Sequence, residues 1–301
     1  APFTLNGLSP APVMIVVGFI LLQGFVMWNR HIKQRGRTPL IALEVMDSPS
    51  EKAAVTVMFA VVALEAMLNF TVPLYIQIVQ GRTPMATTVA MLPFNLSVFF
   101  SALLVIKLYD KFTPKQIATS GFIVCCAALV WLSWVVTNNW SEWPVMVGLI
   151  VFGMGQGALV TLVFNVLVSS SPKSLASDVG ALRGTTSNLA NAIGTAVAGA
   201  LLVGLLSASV MKSVVASPVV TAELQAEVNL DNINFVSNER LATVLENTSA
   251  TPAQVQEAMD INETSRLKAL KLGILIMALI SALAILPARR LPGYSPGNIP
   301  V

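Results

Sequence analysis

Glu65 lies near the middle of a long apolar run. An ionised carboxylate in hydrocarbon costs several kcal/mol, so this side chain must face a cavity, find a partner or hold a proton. Asn69 follows one turn later on the same helical face, and Pro73 a turn beyond that. Such a face suits proton exchange or substrate contact. It suits a structural hydrogen bond between helices equally well, and a lipid-facing position is the third reading. Asn95 stands two residues past Pro93 in the next run, where a kink would bare carbonyls to a cavity. Gln156 and Asn165 share a later run but are nearly opposite on a regular helix, so one cavity takes both only if the helix bends. Gly153-Met154-Gly155-Gln156-Gly157 would allow a bend. Gly153 and Gly157 read first as a small-residue stripe for close helix packing, with Gln156 as a candidate substrate neighbour. Arg183 falls about 10 Å inside the basic end of its run, within reach of snorkelling, of Asp178 or of an attracted anion. Gly180 and Gly184 share one face there, a packing face; Asn188, Asn191 and Thr195 share another, read as packing with some cavity exposure.

Several chemistries are disfavoured by what the chain lacks. There is no glycine-rich phosphate loop with its lysine, no paired metal-binding histidines and no Gly-x-Ser-x-Gly elbow. An intramembrane aspartyl protease needs two facing acids, and only Glu65 is central. Cys125 and Cys126 are adjacent, point about 100° apart on a helix, and suit neither a disulfide nor a metal site. His31 sits in a basic segment and reads as a surface residue. The expectation is a non-enzyme with no metal or cofactor.

The elements that hold these residues follow from composition. Hydrophobic residues make up 55% of 301 and charged residues 11%, with a mean hydropathy of +0.74. Soluble domains carry about a quarter of their residues as charges, so this chain is expected in a bilayer. A pI near 9.0 and a net charge of +3 would fit a nucleic-acid binder, but the basic residues gather at the ends of apolar runs, so no nucleic-acid partner is expected. Seven runs are long enough to cross: about 11–28, 53–79, 83–106, 115–136, 143–168, 177–206 and 267–286. No period-2 pattern of short segments argues for a barrel. The fold class is all-α, a polytopic membrane helical bundle. Residue 1 is Ala, not Met, and the first run begins almost at once; it lacks the basic start of a signal peptide and reads as a true helix in an incomplete chain.

Lysine and arginine set the expected orientation. The segment from Arg30 to Arg37, Lys52, the Lys107–Lys115 turn, Lys173 and Arg289-Arg290 hold 11 of 18 basic residues, and the opposite short loops offer only Arg82. The rule that positive loops stay inside then puts residue 1 outside and Val301 in the cytoplasm. Trp28, Trp140 and Trp143 fall near the expected interfaces. Residues 207–266 form a long extracytoplasmic segment with eight acids, read as a small helical cap. Within it Thr251-Pro252-Ala253-Gln254 predicts a helix start that runs into the last span, and Ser50 is a candidate N-cap for the second.

The order of landmarks resembles the C-terminal half of a major facilitator superfamily drug:proton antiporter, of the 14-helix multidrug subgroup. They are Arg37-Thr38-Pro39-Leu40-Ile41, Val72-Pro73-Leu74-Tyr75-Ile76-Gln77, the Asp110-Lys111-Phe112-Thr113-Pro114-Lys115 turn, Gly153-x-Gly155-x-Gly157, the small and Asn-rich stretch 180–199, a long outer loop and a last helix with a basic end. The resemblance implies an extra transmembrane helix with its basic cytoplasmic end (1–37), a cytoplasmic link (38–52) and a six-helix transporter domain (53–301). It implies that Asp110, Lys111 and Lys115 form the family's conformational loop, although Ile106 and Thr113 stand where that loop often has glycines. It also implies a missing N-terminal half as partner, a cytoplasmic (inner) membrane location, and exchange of protons for an amphiphilic small molecule by alternating access. Glu65 would supply charge or a protonation step, with Asn69, Asn95 and Gln156 as hydrogen-bonding neighbours. Two alternatives stand beside multidrug efflux: transport of one specific metabolite, and a membrane scaffold that does not transport.

Overall fold

Thr-Pro pairs set three helix starts in the computed structural model, which describes residues 11–35, 49–138, 143–170, 176–217, 238–245 and 250–294. Thr83, Thr113 and Thr251 are N-caps, each followed by a proline whose missing N–H costs nothing in the first turn. Thr113 with Gln116 and Thr251 with Gln254 close full capping boxes. Ser50 does not play this part. The second helix begins at Pro49, so Ser50 lies inside its first turn.

Eight α-helices result among the described residues. They are α1 (Ala11–Gln34), α2 (Pro49–Leu74), α3 (Pro84–Leu104), α4 (Pro114–Val135), α5 (Trp143–Ser170), α6 (Ala176–Ala216), α7 (Asn238–Leu245) and α8 (Pro252–Ala288). All but α7 are long and apolar enough to cross a membrane, and no strand occurs among the described residues. The chain is an all-α polytopic bundle. α2 continues as a π-helix over Tyr75–Val79 before Gly81, at φ 63°, turns the chain back. Pro73 gives the physical cause: it cannot donate to the Asn69 carbonyl, and the helix widens just beyond the lost bond. α3 tightens at its end into a 3₁₀ turn over Val105–Leu108.

Six helices pack together, and the pairings exchange roles between two triplets. α2 lies on α6, and α3 on α5; α4 packs against α5 and α8, and α2 against α5 and α8. α1 has no extensive contact with the other described helices, and its apolar side chains are open (Val13 65%, Met14 69% exposed). The core is a continuous set of Leu, Val, Ala and aromatic side chains from α2, α4, α5 and α8, with Phe94 stacked on Phe152 between α3 and α5.

α6 and α8 contain 41 and 37 residues, so each runs roughly twice the ~30 Å hydrocarbon thickness. The connection expected over 207–266 is therefore shorter. α6 stays helical through Ala216 and α8 starts at Pro252, because Ser207–Ala216 contains no helix breaker to end the helix at the bilayer edge. The Ser217 hydroxyl donates to Glu257 at 2.8 Å, and α7 packs on α8, which makes a helical projection at this pole. Trp140 and Lys173 lie outside the described residues.

Candidate functional site

Glu65 and Asn69 occupy the one face of α2 that the bundle leaves open. Its buried face carries Val57, Val61, Leu64, Leu68 and Val72, whereas Val55, Phe59, Val62, Glu65 and Pro73 are half-buried and Asn69 is exposed. The carbonyl that Pro73 deprives of its helical donor belongs to Asn69. A carboxyl, an amide side chain and a backbone carbonyl stripped of its usual helical donor thus lie within about two turns of one another in an apolar setting.

α6 runs beside this face and is the other polar element. A β-carbon on Gly194 would meet the Ala63 carbonyl at 2.6 Å, so the two backbones touch there, two residues before Glu65. Asn191 lies one turn below that contact, and Asn188 about one turn below Asn191. Both are exposed, as are Thr185, Ala192 and Thr195. Gly180 and Gly184 are open as well, with nothing within 4 Å of a β-carbon added to either; the close contact on α6 is Gly194 instead. Arg183 spreads its guanidinium over the Phe164 ring at 4.0 Å, which ties α6 to α5 near the basic pole.

The α3–α5 seam is tighter. A β-carbon on Gly153 would sit 2.6 Å from the Phe94 carbonyl, and one on Gly155 2.5 Å from the Cys125 sulfur of α4. Gly157 is pressed in the same way onto the Val98 carbonyl. Ser101 donates across the seam to the Met154 carbonyl at 2.6 Å. Asn95 is exposed on α3, its amide turned back on the Met91 carbonyl at 3.1 Å. Gln156 lies within one turn of Gly153 on α5 but points inward: it is fully buried, and neither its Nε2 nor its Oε1 has a hydrogen-bond partner among the described residues. Asn165 bonds the Tyr109 hydroxyl at 3.1 Å instead of sharing a cavity with Gln156. Asp110, Lys111 and Lys115 are exposed around the capped start of α4. The structure therefore spreads Glu65, Asn69, Asn188 and Asn191 over about 18 Å along the α2–α6 pair, and sets Asn95 and Gln156 on separate sides of the α3–α5 seam.

A second polar cluster, which the sequence reading did not assemble, lies at the opposite pole. Tyr75 donates to the Asn138 side chain, Gln80 donates to the Asn138 carbonyl, and the Asn138 amide donates to Glu263 at 2.6 Å. Arg266 and Asn262 both donate to Asn238 of α7, at 2.7 and 3.1 Å. Lys271 reaches the Trp134 carbonyl at 3.3 Å. The available signal was Tyr75, two residues past Pro73, at the start of the helical fault that the proline creates. No group of three or more His, Cys, Asp or Glu side chains arranged for a metal occurs among the described residues, and Cys125 and Cys126 are free thiols.

A bundle of long apolar helices with one open polar flank is the architecture of a membrane carrier domain. The chain belongs to the major facilitator superfamily, whose family model matches residues 1–195. It is similar to a probable actinorhodin transporter of Streptomyces coelicolor, 24% identical over 205 residues, which are 67% of this chain and 36% of that protein. It is also similar to the multidrug resistance protein Stp of Mycobacterium tuberculosis, 27% identical over 231 residues, 72% of this chain and 42% of Stp. The MFS-type efflux transporter ffsH of Aspergillus flavipes is 29% identical over 164 residues, 53% of this chain and 28% of that protein. The chain thus spans well under half the length of the curated relatives it matches.

Proposed function

We propose that this chain is part of a proton-coupled efflux transporter for amphiphilic small molecules, working by alternating access in the cytoplasmic membrane. Residues 53–301 would be the C-terminal six-helix domain of a 14-helix carrier, and α1 the second of its two extra helices. The basic pole would face the cytoplasm, with the Asp110–Lys115 turn as the conformational loop. The observation that carries the reading is the open flank of Glu65, Asn69, Asn188 and Asn191. Exposed amides and a carboxyl are costly against lipid, so this flank is best matched by a water-filled cavity and a second helical bundle. Relatives described by name as a multidrug resistance protein and an efflux transporter point to the same class of cargo.

On this reading Glu65 takes up a proton or meets a cationic substrate, and the Asn69 amide and carbonyl orient the cargo beside it. Gly180 and Gly184 are smooth enough to receive a helix of the other bundle. Testing requires the complete transporter in proteoliposomes with an imposed pH gradient. Glu65→Gln should abolish proton-driven export while substrate binding persists. Export that stays unchanged at every pH would remove Glu65 from the mechanism.

A further inference from the structure

We propose that Asn138 is the node of a latch that holds the π-helical end of α2 against α8. Three segments distant in sequence meet at this side chain. Tyr75 opens the π segment and Gln80 closes it, and both donate to Asn138, one to its amide oxygen and one to its backbone carbonyl. The Asn138 amide passes the connection to Glu263 on α8 at 2.6 Å. Burial makes the inner end of the latch consequential: Tyr75 is 1% exposed, so breaking its bond leaves a hydroxyl largely cut off from water, whereas the Asn138–Glu263 bond at the outer end is exposed. Arg266 lies within electrostatic reach of Glu263 and anchors α7 through Asn238.

The helix being held has an independent reason to move. Pro73 removes one backbone bond, the π turn shifts the ladder by one residue, and Gly81 at φ 63° lets the chain reverse. Segments with missing or displaced helical bonds open at low local cost. Asn138 supplies from the side what the α2 backbone lacks, and it couples that end to the α7–α8 projection. The latch is a matter of geometry alone. Its use as a gate on the α2 face rests on the transporter reading above.

Hydrogen exchange of the 301-residue chain in lipid nanodiscs separates the two claims, since it needs no transport. Glu263→Ala removes the acceptor that α8 offers to the latch, and amides of residues 75–82 should then exchange about two- to ten-fold faster, as expected for losing one hydrogen bond. Tyr75→Phe, which keeps the ring in place, should give the same increase, and the double variant should add little to either. Unchanged exchange over 75–82 in Glu263→Ala, or fully additive effects in the double variant, would overturn the latch. If the latch stands but export in the complete transporter does not change in either variant, the gating role fails and the geometry remains.

Discussion

Replacing Gln156 by methionine should make this bundle more stable, contrary to the usual result of altering a buried residue. Gln156 is fully buried, and both polar ends of its amide lack a partner among the described residues. A buried polar atom without a hydrogen bond costs about 1–3 kcal/mol relative to the unfolded chain, where water or detergent headgroups satisfy it. Methionine has nearly the same length and volume, fills the same space and adds no cavity, so packing changes little. Taking the lower end of the range for two atoms, Gln156→Met should raise stability by about 2 kcal/mol. Gln156→Ala should fall the other way, because the cavity it leaves outweighs the relief, by about 2 kcal/mol or more.

The assay is reversible unfolding of the purified chain in mixed micelles, followed by circular dichroism, with both variants run beside the parent. A methionine variant less stable than the parent would refute the reasoning. It would mean that the amide is satisfied after all, by an ordered water. The same variant also probes function. If export by the complete transporter falls while stability rises, the amide is kept for what it binds and not for the fold.

Other positions give shorter tests. Gly153→Val should lower stability by about 1–3 kcal/mol in the same assay, because its β-carbon would press on the Phe94 carbonyl, a backbone atom that cannot swing aside. Gly184→Val, with open space around it, should leave the isolated chain unchanged; loss of export in the complete transporter would then locate the contact on the other bundle. Thr251→Ala removes the capping box of α8 and should cost about 1 kcal/mol, read as faster hydrogen exchange confined to its first turn. Arg183→Lys should weaken the contact with Phe164, since an ammonium cannot stack flat on the ring; an unchanged unfolding midpoint in Phe164→Leu would show that the stacking adds nothing.

The bundle was legible in the sequence wherever one physical rule decided the outcome. Runs of apolar residues near bilayer length had to be helices, and all seven appear: α2 to α5 keep within about four residues of the expected bounds, α1 and α6 run on past theirs, and α8 starts at the expected Thr251 cap. Those overruns had a weak signal: the Thr251-Pro252 cap announced the start of α8, but nothing in Ser207–Ala216 marked an end for α6. Side-chain direction was harder. Glycine spacing marked Gly153 and Gly180 alike as packing positions, yet the chain supplies a tight neighbour only for the first. Gln156 was expected near a cavity because it is polar, and the rotation of α5 that turns it inward is fixed by the α3 and α4 seams, which no local pattern records. The Asn138 node joins residues 63 and 125 positions apart and could not be seen from any one segment.

The uneven packing bears on how such a domain would move. Where α5 meets α3 and α4, glycine lets backbone lie on backbone, and Ser101 and Ser281 fasten neighbouring helices to carbonyls of α5 and α4. Contacts of that closeness cannot slide, because each small shift meets a carbonyl oxygen. Across the bundle α2 and α6 play the corresponding parts, and there the tight contact narrows to Gly194 on Ala63, with polar side chains and a proline fault on the open flank. The two halves of the packing pattern are thus alike in pairing and unlike in rigidity. Alternating access as proposed would use both properties: one side stiff enough to turn as a body, and one helix loose enough to respond if Glu65 exchanges a proton. That division predicts a gradient of hydrogen exchange, slowest in the middle of α5 and fastest beyond Pro73. An evenly protected bundle would remove α2 as the responsive element, whatever the cargo.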